Sequence, residues 1–353
     1  SFELVEGEDA KVVATGTNAA DGKITMSEIT YNEPGKHTYK LREVPGDANN
    51  GITYDGKTYT IETTVTDNGK GELVVKHELK GADEAKFNNS YKPKPNEFSV
   101  TDQITATKVL TGRDMTEGEF SFELVEGEGK DAKVVATGKN AADGKITMSA
   151  VKYDKAGTHT YTLREVNGGT ISKGITYSDT KYTIETTITD NGDGTLSATH
   201  ALKDDAEAAT FENTYSVTPL ETELDFGLSK AIDGRDWTDG DEFSFTITAP
   251  EGAPLPDPAT VTVSKKDAKD GIATIKFGKI HYAAAGTYKY EIRENAGSTV
   301  GMTYDAHVAT AEVTVTEDGD GTLTANVTKK ENGRFTNTYR TELNYTAAGG
   351  LWL

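Results

Sequence analysis

The sequence has 353 residues, of which 35% are hydrophobic, and its 57 acidic and 37 basic side chains give a formal net charge of −20. This acidic balance argues against nucleic acid or an anionic membrane as a partner. The chain contains no cysteine, which excludes disulfides and thiolate metal sites. It has no apolar run of about 20 residues, so we expect no membrane insertion. It begins at Ser1 without methionine or a signal segment, so we expect a fragment or a processed product.

Internal repeats define the organisation of the chain. The opening stretch SFELVEGEDAKVVATGTNAADGKITMS returns at residue 121 as SFELVEGEGKDAKVVATGKNAADGKITMS, and a diverged copy begins at EFSFTITAP, residues 242–250. The period of about 120 residues is too long for a solenoid unit and fits whole domains. We predict a first repeat over 1–95 that lacks its first strand, complete second and third repeats over 96–216 and 217–340, and the start of a further repeat over 341–353.

Each repeat is predicted to be all-β. Alternating segments such as KYTIETTITD are followed by the short Gly-rich turns DNGKGE, DNGDGT and EDGDGT, a pattern typical of β-hairpins. No segment has a sustained helical period, so we predict tandem β-sandwiches of about seven or more strands each. The stretches YKPKPNEF (91–98) and YSVTPLETEL (215–224) are predicted to be linkers.

Two predicted strands carry a lysine on an otherwise apolar face. In the first, Ile104, Ala106, Lys108 and Leu110 share one side because side chains alternate with a period of two. LDFGLSKAI places Lys230 in the same setting. A lysine in the middle of a core-facing stripe requires a partner, because an unpaired buried charge costs several kcal/mol or more.

A glutamate and an asparagine recur on similar faces. The glutamate ends the strands HTYKLRE, HTYTLRE and YKYEIRE, and the asparagine lies in FNNSY, FENTY and FTNTY. The glutamates are Glu43, Glu165 and Glu294, and the asparagines are Asn89, Asn213 and Asn337. We expect the lysine, glutamate and asparagine of each complete repeat to meet inside the sandwich.

The residues leave two interpretations of this trio open. One is a buried Lys–Glu ion pair whose hydrogen bonds are completed by the asparagine. The other is chemical: burial favours a neutral lysine and a protonated carboxyl, and a neutral amine can attack an amide, expel ammonia and leave a Lys–Asn crosslink. Lysine stems also reach out to sheet edges, so the pattern alone does not decide.

The order of the three motifs carries a resemblance. A lysine in the first strand, RE in a middle strand and F-x-N-x-Y in the last resemble the self-crosslinking domains of Gram-positive pilins, of the streptococcal pilin isopeptide linkage type. The resemblance covers essentially the whole chain and implies immunoglobulin-like (CnaB-like) β-sandwiches. It implies spontaneous amide bonds catalysed by a glutamate, joining Lys108 to Asn213 with Glu165 and Lys230 to Asn337 with Glu294.

The first repeat departs from this family pattern. It keeps Glu43 and Asn89, but in the given sequence no first strand with a lysine precedes its SFELVEGE stretch. Its site is therefore predicted to be incomplete.

The resemblance predicts a structural role. We expect a stalk module of a cell-surface pilin or adhesin, extracellular and wall-anchored in the full-length protein, whose partners are neighbouring repeats or subunits. The alternative is an adhesin that recognises a host glycan or matrix protein, although near-identical copies favour a spacer. We expect no turnover enzyme, no cofactor and no metal, since the acids of DNGDGT miss the ligand spacing of an EF-hand and Lys70 replaces Asp193 in the first copy.

Overall fold

The computed structural model describes residues 1–342, which form β-strands with three short 3-10 turns and no α-helix. No helix in this part of the chain has the length and apolar character needed to cross a bilayer. The all-β prediction is confirmed. Two compact units are formed, one from Ser1–Lys108, Met115–Val166 and Thr180–Phe211, the other from Val109–Asp114, Asn167–Asp179 and the described chain after residue 211. The predicted start of a further repeat lies outside the described residues, except for 341 and 342.

The first repeat forms one large sheet and a short two-stranded one. Its strands are β1 (Phe2–Glu6), β2 (Lys11–Asn18), β3 (Ile24–Met26), β4 (Gly35–Glu43), β5 (Ile52–Thr53), β6 (Thr58–Asp67), β7 (Leu73–Lys80) and β8 (Ser90–Tyr91). The large sheet has the order β3-β2-β1-β4-β6-β7, and β5 pairs with β8. Alternation along β1 and β4 directs Phe2, Leu4, Tyr39 and Leu41 into one apolar cluster.

The second repeat adds elements before the counterpart of β1. Its elements are β9 (Asn96–Phe98), η1 (Val100–Asp102), β10 (Ala106–Thr111), β11 (Ser121–Glu126), η2 (Gly129–Asp131), β12 (Lys133–Asn140), β13 (Ile146–Met148), β14 (Val151–Tyr153), β15 (Gly157–Glu165), β16 (Ile171–Ser172), β17 (Ile175–Thr176), β18 (Lys181–Asp190), β19 (Leu196–Leu202) and β20 (Ala209–Tyr215). The sheets have the orders β13-β12-β11-β15-β18-β19, β10-β20-β17-β16 and β14-β9.

The third repeat is a sandwich of two five-stranded sheets. Its elements are β21 (Leu220–Thr222), β22 (Leu228–Asp233), β23 (Glu242–Thr248), β24 (Thr260–Ser264), η3 (Lys265–Asp267), β25 (Ala268–Lys269), β26 (Ile272–Ile275), β27 (Ile280–Tyr282), β28 (Gly286–Asn295), β29 (Met302–Thr303), β30 (Val308–Glu317), β31 (Leu323–Glu331) and β32 (Arg334–Tyr339). The five-stranded sheets have the orders β25-β26-β22-β32-β29 and β24-β23-β28-β30-β31, and β21 pairs with β27. Both sheets contribute to one core, with Leu228 and Phe335 from the first and Phe245 and Ile292 from the second.

The two linker predictions are wrong in part. Within 91–98, Asn96–Phe98 forms β9, which pairs with β14 so that Phe98 lies opposite Val151. Within 215–224, Leu220–Thr222 forms β21, which pairs with β27. Strands of three residues are too short to show alternation, and their pairing is decided by the neighbouring strand rather than by their own sequence.

Candidate crosslinking site

The third repeat brings its predicted site residues together from three strands. β22 and β32 are parallel neighbours, with Lys230 beside Phe335 and Ile232 beside Asn337. Glu294 comes from the other sheet of the sandwich, where β28 pairs with β23. All three side chains are buried, as the alternation along each strand predicts.

Glu294 bridges the lysine and the asparagine. Lys230 Nζ donates to Glu294 Oε2 at 2.6 Å, and Asn337 Nδ2 donates to Glu294 Oε1 at 2.7 Å. The asparagine Oδ1 accepts a hydrogen bond of 2.8 Å from the backbone N–H of Asp305. Because a backbone N–H can only donate, this contact fixes which end of the amide faces Glu294.

Burial shifts both ionisable groups towards their neutral forms. Desolvation lowers the pKa of Lys230 from its usual value, although the contacts with Glu294 oppose this effect. Desolvation also raises the pKa of Glu294, against the hydrogen bonds from Lys230 and Asn337. Lys230 Nζ lies 4.7 Å from the ring centroid of Phe243, so an aromatic face takes the place of water beside the amine.

This arrangement contains the parts that acyl transfer to an amine needs. A buried amine is the nucleophile, and a side-chain amide is the acyl group. A carboxyl in contact with both nitrogens can take a proton from one and return it to the other. A backbone N–H on the amide oxygen can stabilise the negative charge that develops there during attack.

The second repeat has the same components. Lys108 and Glu165 are buried, and Lys108 Nζ lies 3.0 Å from Oε1 and 3.1 Å from Oε2 of the glutamate. The ring of Phe120 lies 4.7 Å from the amine. Asn213 is fully buried on β20, and its Oδ1 accepts a 2.7 Å hydrogen bond from the backbone N–H of Ser178.

The first repeat contains two of the three site residues, the glutamate and the asparagine. Asn89 Nδ2 donates to Glu43 Oε1 at 2.7 Å, and the Asp55 N–H donates to Asn89 Oδ1 at 2.8 Å. The second carboxylate oxygen, Glu43 Oε2, is buried and has no hydrogen-bond partner within residues 1–342. Asn89 itself is exposed, contrary to the inward face predicted for its strand, because the described first repeat has no strand in the position of β10 to cover it.

Sequence reasoning missed the backbone donor. In each repeat the N–H comes from the residue directly after the motif GITY or GMTY, which places Asp55, Ser178 and Asp305 on the asparagine oxygen. The side chains of these residues are not the same, so residue type gives no signal. The recurrence of the motif itself at one position in all three copies was the available signal.

Trp237 also has a defined role that the sequence left open. In the structure it is buried in the core of the third repeat, donates from Nε1 to the Gly271 carbonyl at 3.0 Å and packs edge-on against Phe243. It therefore supports the aromatic ring that lies beside Lys230.

The fold and the site together define a class of β-sandwich with a lysine, a glutamate and an asparagine in its core. The family model described as Spy0128-like isopeptide containing domain, FctA, matches residues 1–92, 104–216 and 226–340. The chain belongs to this family, as the resemblance of its motifs predicted.

Individual relatives come from Streptococcus pyogenes. The pilus tip adhesin Cpa is 32% identical over 100 residues, which cover 27% of this chain and 15% of the length of that relative. The major pilin T-13 is 17% identical, with 70% of this chain and 100% of that chain covered and a TM-score of 0.26. A further major pilin of the species is 15% identical, covering 67% and 97% of the two chains, with a TM-score of 0.25. The family assignment rests on the match to the family model.

Proposed function

We propose that each complete repeat crosslinks itself through a Lys–Asn amide and that the repeats serve as a stalk. The bonds join Lys108 to Asn213 and Lys230 to Asn337. The observation that carries the proposal is the contact of one buried carboxylate, Glu294, with both the amine and the amide at 2.6 and 2.7 Å. An ion pair completed by the asparagine makes the same two contacts, so the mass of the chain has to distinguish the two interpretations.

The proposed reaction balances without a co-reactant. Glu294 takes a proton from the Lys230 ammonium, and the neutral Nζ attacks Cγ of Asn337. The Asp305 N–H stabilises the oxyanion. The Cγ–Nδ2 bond then breaks as Glu294 returns the proton to the leaving nitrogen, ammonia departs, and Glu294 takes the second proton from Nζ. One C–N bond has formed and one has broken, and each domain reacts once rather than turning over.

The bond would join the first strand of the repeat to the last. Closing a loop of about 100 residues removes unfolded-state entropy worth roughly 4–5 kcal/mol in the chain-entropy model. A force on the two ends of the repeat would pass through the amide and leave the intervening sheets unloaded. Because the chain has no cysteine, an amide would also give it a crosslink that reductants do not cleave.

Family membership and the similarity to a pilus tip adhesin support a place outside the cell. We propose a cell-surface pilus or adhesin stalk of a Gram-positive bacterium, anchored to the wall through the full-length protein. Its partners would be neighbouring repeats or subunits of the same surface protein.

Intact mass tests the chemistry. The folded chain should be lighter than its sequence mass by two molecules of ammonia, and proteolysis should give branched peptides that join Lys108 to Asn213 and Lys230 to Asn337. The variant Asn337→Ala should lose one of the two deficits, whereas Asn89→Ala should leave both. A folded wild-type chain with its full sequence mass would sink the proposal and leave the buried ion pair.

An adhesin is the second candidate function. It is favoured by the 32% identity with Cpa, which is itself described as a pilus tip adhesin. Binding of the full chain to an array of host glycans and matrix proteins tests it. Specific binding that survives Asn213→Ala and Asn337→Ala would establish recognition separately from the crosslinks.

A further inference from the structure

The loop between β29 and β30 carries an aspartate and a histidine beside the crosslinking site of the third repeat. Asp305 donates its N–H to Asn337 Oδ1 at 2.8 Å, and His307 follows two residues later. Asp305 Oδ2 accepts from the N–H of Thr336 at 2.8 Å. Asp305 Oδ1 accepts from the N–H of His307 at 3.1 Å and lies 2.6 Å from its Nδ1. The aspartate therefore fastens the loop to β32 directly beside the asparagine.

Both ring nitrogens of His307 face oxygen atoms that accept hydrogen bonds. Nδ1 contacts the carboxylate of Asp305, and Nε2 lies 2.6 Å from the carbonyl oxygen of Asn332. A carboxylate and a carbonyl can only accept, whereas a neutral imidazole carries a single N–H. The two contacts are satisfied together only when both nitrogens are protonated. The geometry therefore favours an imidazolium, which stacks on the ring of Phe335 with 4.4 Å between the ring centroids.

The groups around His307 support this charge. Desolvation opposes it, but the carbonyl on Nε2 and the contact with Asp305 outweigh desolvation and raise the pKa of His307, and Glu294 on β28 acts in the same direction. Desolvation also opposes the charge of Asp305, but hydrogen bonds from the backbone and from His307 lower its pKa. The cation on β22, Lys230, is paired with Glu294. The loop thus holds an ion pair of its own beside the Lys–Glu pair.

This ion pair acts on the asparagine oxygen. Attack on Cγ of Asn337 develops negative charge on Oδ1, and the N–H of Asp305 stabilises that charge. The carboxylate of the same aspartate has the opposite effect, because like charges repel strongly in a partly buried site. An imidazolium in contact with the carboxylate neutralises it, so the backbone N–H can act without this repulsion.

The two equivalent positions differ between the repeats. In the first repeat they are Asp55 and Lys57, and in the second they are Ser178 and Thr180. Asp55 Oδ2 accepts from the N–H of Asn88 at 2.8 Å and lies 3.6 Å from Nζ of Lys57. An aspartate at this position is therefore accompanied by a cation in both repeats that have one. Serine and threonine carry no charge, so the loop of the second repeat needs no compensating cation.

We propose that His307 is a positioning residue for the crosslink of the third repeat. As an imidazolium it orients the loop and neutralises Asp305, so that the N–H on Asn337 stabilises the oxyanion. Bond formation in the third repeat therefore slows when the pH rises far enough to remove the second ring proton of His307. The second repeat has no ionisable side chain at either position and lacks this dependence. The inference rests on the proposed function, because it concerns the rate of the same amide bond.

The two complete repeats provide an internal control for the test. Full chain dissolved in urea at its full sequence mass is refolded at pH values from about 6 to 9, a range that spans histidine titration. Circular dichroism follows folding, and timed peptide mapping follows the Lys108–Asn213 and Lys230–Asn337 bonds separately. We expect the rate of the third-repeat bond, divided by that of the second, to fall about tenfold from low to high pH. A constant ratio would overturn the role of His307, whereas a folded chain that keeps its full mass at every pH would overturn the proposed function itself.

Three variants separate the charge of His307 from its packing, each compared after circular dichroism shows that it has folded. His307→Gln should slow the third-repeat bond about tenfold at low pH and make the ratio independent of pH. His307→Lys, which copies the first repeat, should keep the fast rate over the whole range. Asp305→Ser, which copies the second repeat and retains the backbone N–H, should make a further His307→Gln change harmless. A His307→Lys chain as slow as His307→Gln, or an equal effect of His307→Gln with and without the carboxylate, would contradict the proposal.

Discussion

The first and second repeats form a controlled comparison within one chain. Their opening stretches, from Ser1 and from Ser121, are nearly identical in sequence, yet the burial of the two repeats differs along one side. Ile146 and Met148 are only 1% and 2% exposed, whereas Ile24 and Met26 are half-buried. Asn213 is fully buried and Asn89 is exposed. The difference follows residues 96–111, so one segment determines which residues of an otherwise equal sheet belong to a core.

The comparison also shows which site residues are held in place without β10. Glu43 lies opposite Phe2 just as Glu165 lies opposite Phe122, and the amide of Asn89 is oriented by Asp55 as that of Asn213 is by Ser178. The glutamate and the asparagine are therefore placed by the sheets they belong to. Only the lysine amine and the burial of the site depend on β10.

Removing the carboxylate from a complete site should have the largest effect. In Glu294→Gln, we expect the third repeat to lose its crosslink and to leave Lys230 without a counterion. Loss of loop closure is worth roughly 4–5 kcal/mol and an unpaired buried charge about 3–5 kcal/mol, although the two need not add. Calorimetric unfolding together with intact mass measures both consequences.

Glu43→Gln is the matched control for that variant. It removes the same group from a site without a lysine, so the chain should still lose two molecules of ammonia. The free energy of unfolding should fall by less than about 1 kcal/mol. A third repeat that still loses ammonia in Glu294→Gln would show that the carboxylate is dispensable for the bond.

Completing the first repeat should have the next largest effect. Grafting a second copy of residues 96–120 in front of Ser1 supplies the missing strand in its natural connection. We expect a third molecule of ammonia to be lost and the first repeat to gain roughly 4–5 kcal/mol from loop closure. The same graft with methionine in place of its Lys108 should add buried surface but no third mass deficit; a deficit there would mean that another amine reacts.

Asn140 and the equivalent Asn18 differ in burial and in their hydrogen bonds. Asn140 Oδ1 accepts from the Phe120 N–H at 2.7 Å, and its Nδ2 donates to the Thr116 carbonyl at 2.8 Å. The equivalent Asn18 is exposed and bonds only to its neighbour Ala19 among the described residues. Asn140→Ala should lower the free energy of unfolding by about 1–3 kcal/mol, because it leaves backbone groups without their hydrogen-bond partners. Asn18→Ala should lower it by less than about 0.5 kcal/mol. Equal losses in denaturant unfolding would contradict the burial difference.

Methionine oxidation provides a test that barely perturbs the fold. Met26 is half-buried in a groove that it lines together with Leu4 and Tyr31, and Met148 is enclosed, so dilute peroxide should convert Met26 to the sulfoxide first. Peptide mapping over time measures the two rates. In the grafted protein the rate at Met26 should fall to that of Met148, and unchanged oxidation would mean that the graft does not cover the groove.

Period-two alternation predicted the inward-facing side chains of the complete repeats but failed at Asn89, which is exposed. It identified Lys108, Lys230 and the glutamates on their strands, because a strand carries only two faces and the flanking apolar residues mark the buried one. The all-β class follows from the same patterns and from the Gly-rich turns. Whether the amide bonds form remains a prediction, as do the repeat boundaries.

Other features of the site could not be predicted from the sequence. The parallel pairing of β22 with β32 depends on contacts between residues about 100 positions apart, and loop closure over that distance leaves no local trace in the sequence. The donor to Asn337 is a backbone N–H, which every residue except proline has. Residues 96–104 are held in place by hydrogen bonds that Ser99 donates and that Thr101 and Gln103 accept, and such residues are equally common in loops.

The parallel direction of β22 and β32 has a mechanical consequence of its own. The chain reaches β22 at its start and leaves β32 at its end, so a pull on these two points slides the two strands along each other. Five residue pairs, from Ser229 with Arg334 to Asp233 with Thr338, then resist in shear at once. In an antiparallel hairpin the same traction would peel the hydrogen bonds apart one after another. The parallel pairing would therefore resist a pull on the repeat even without the proposed amide.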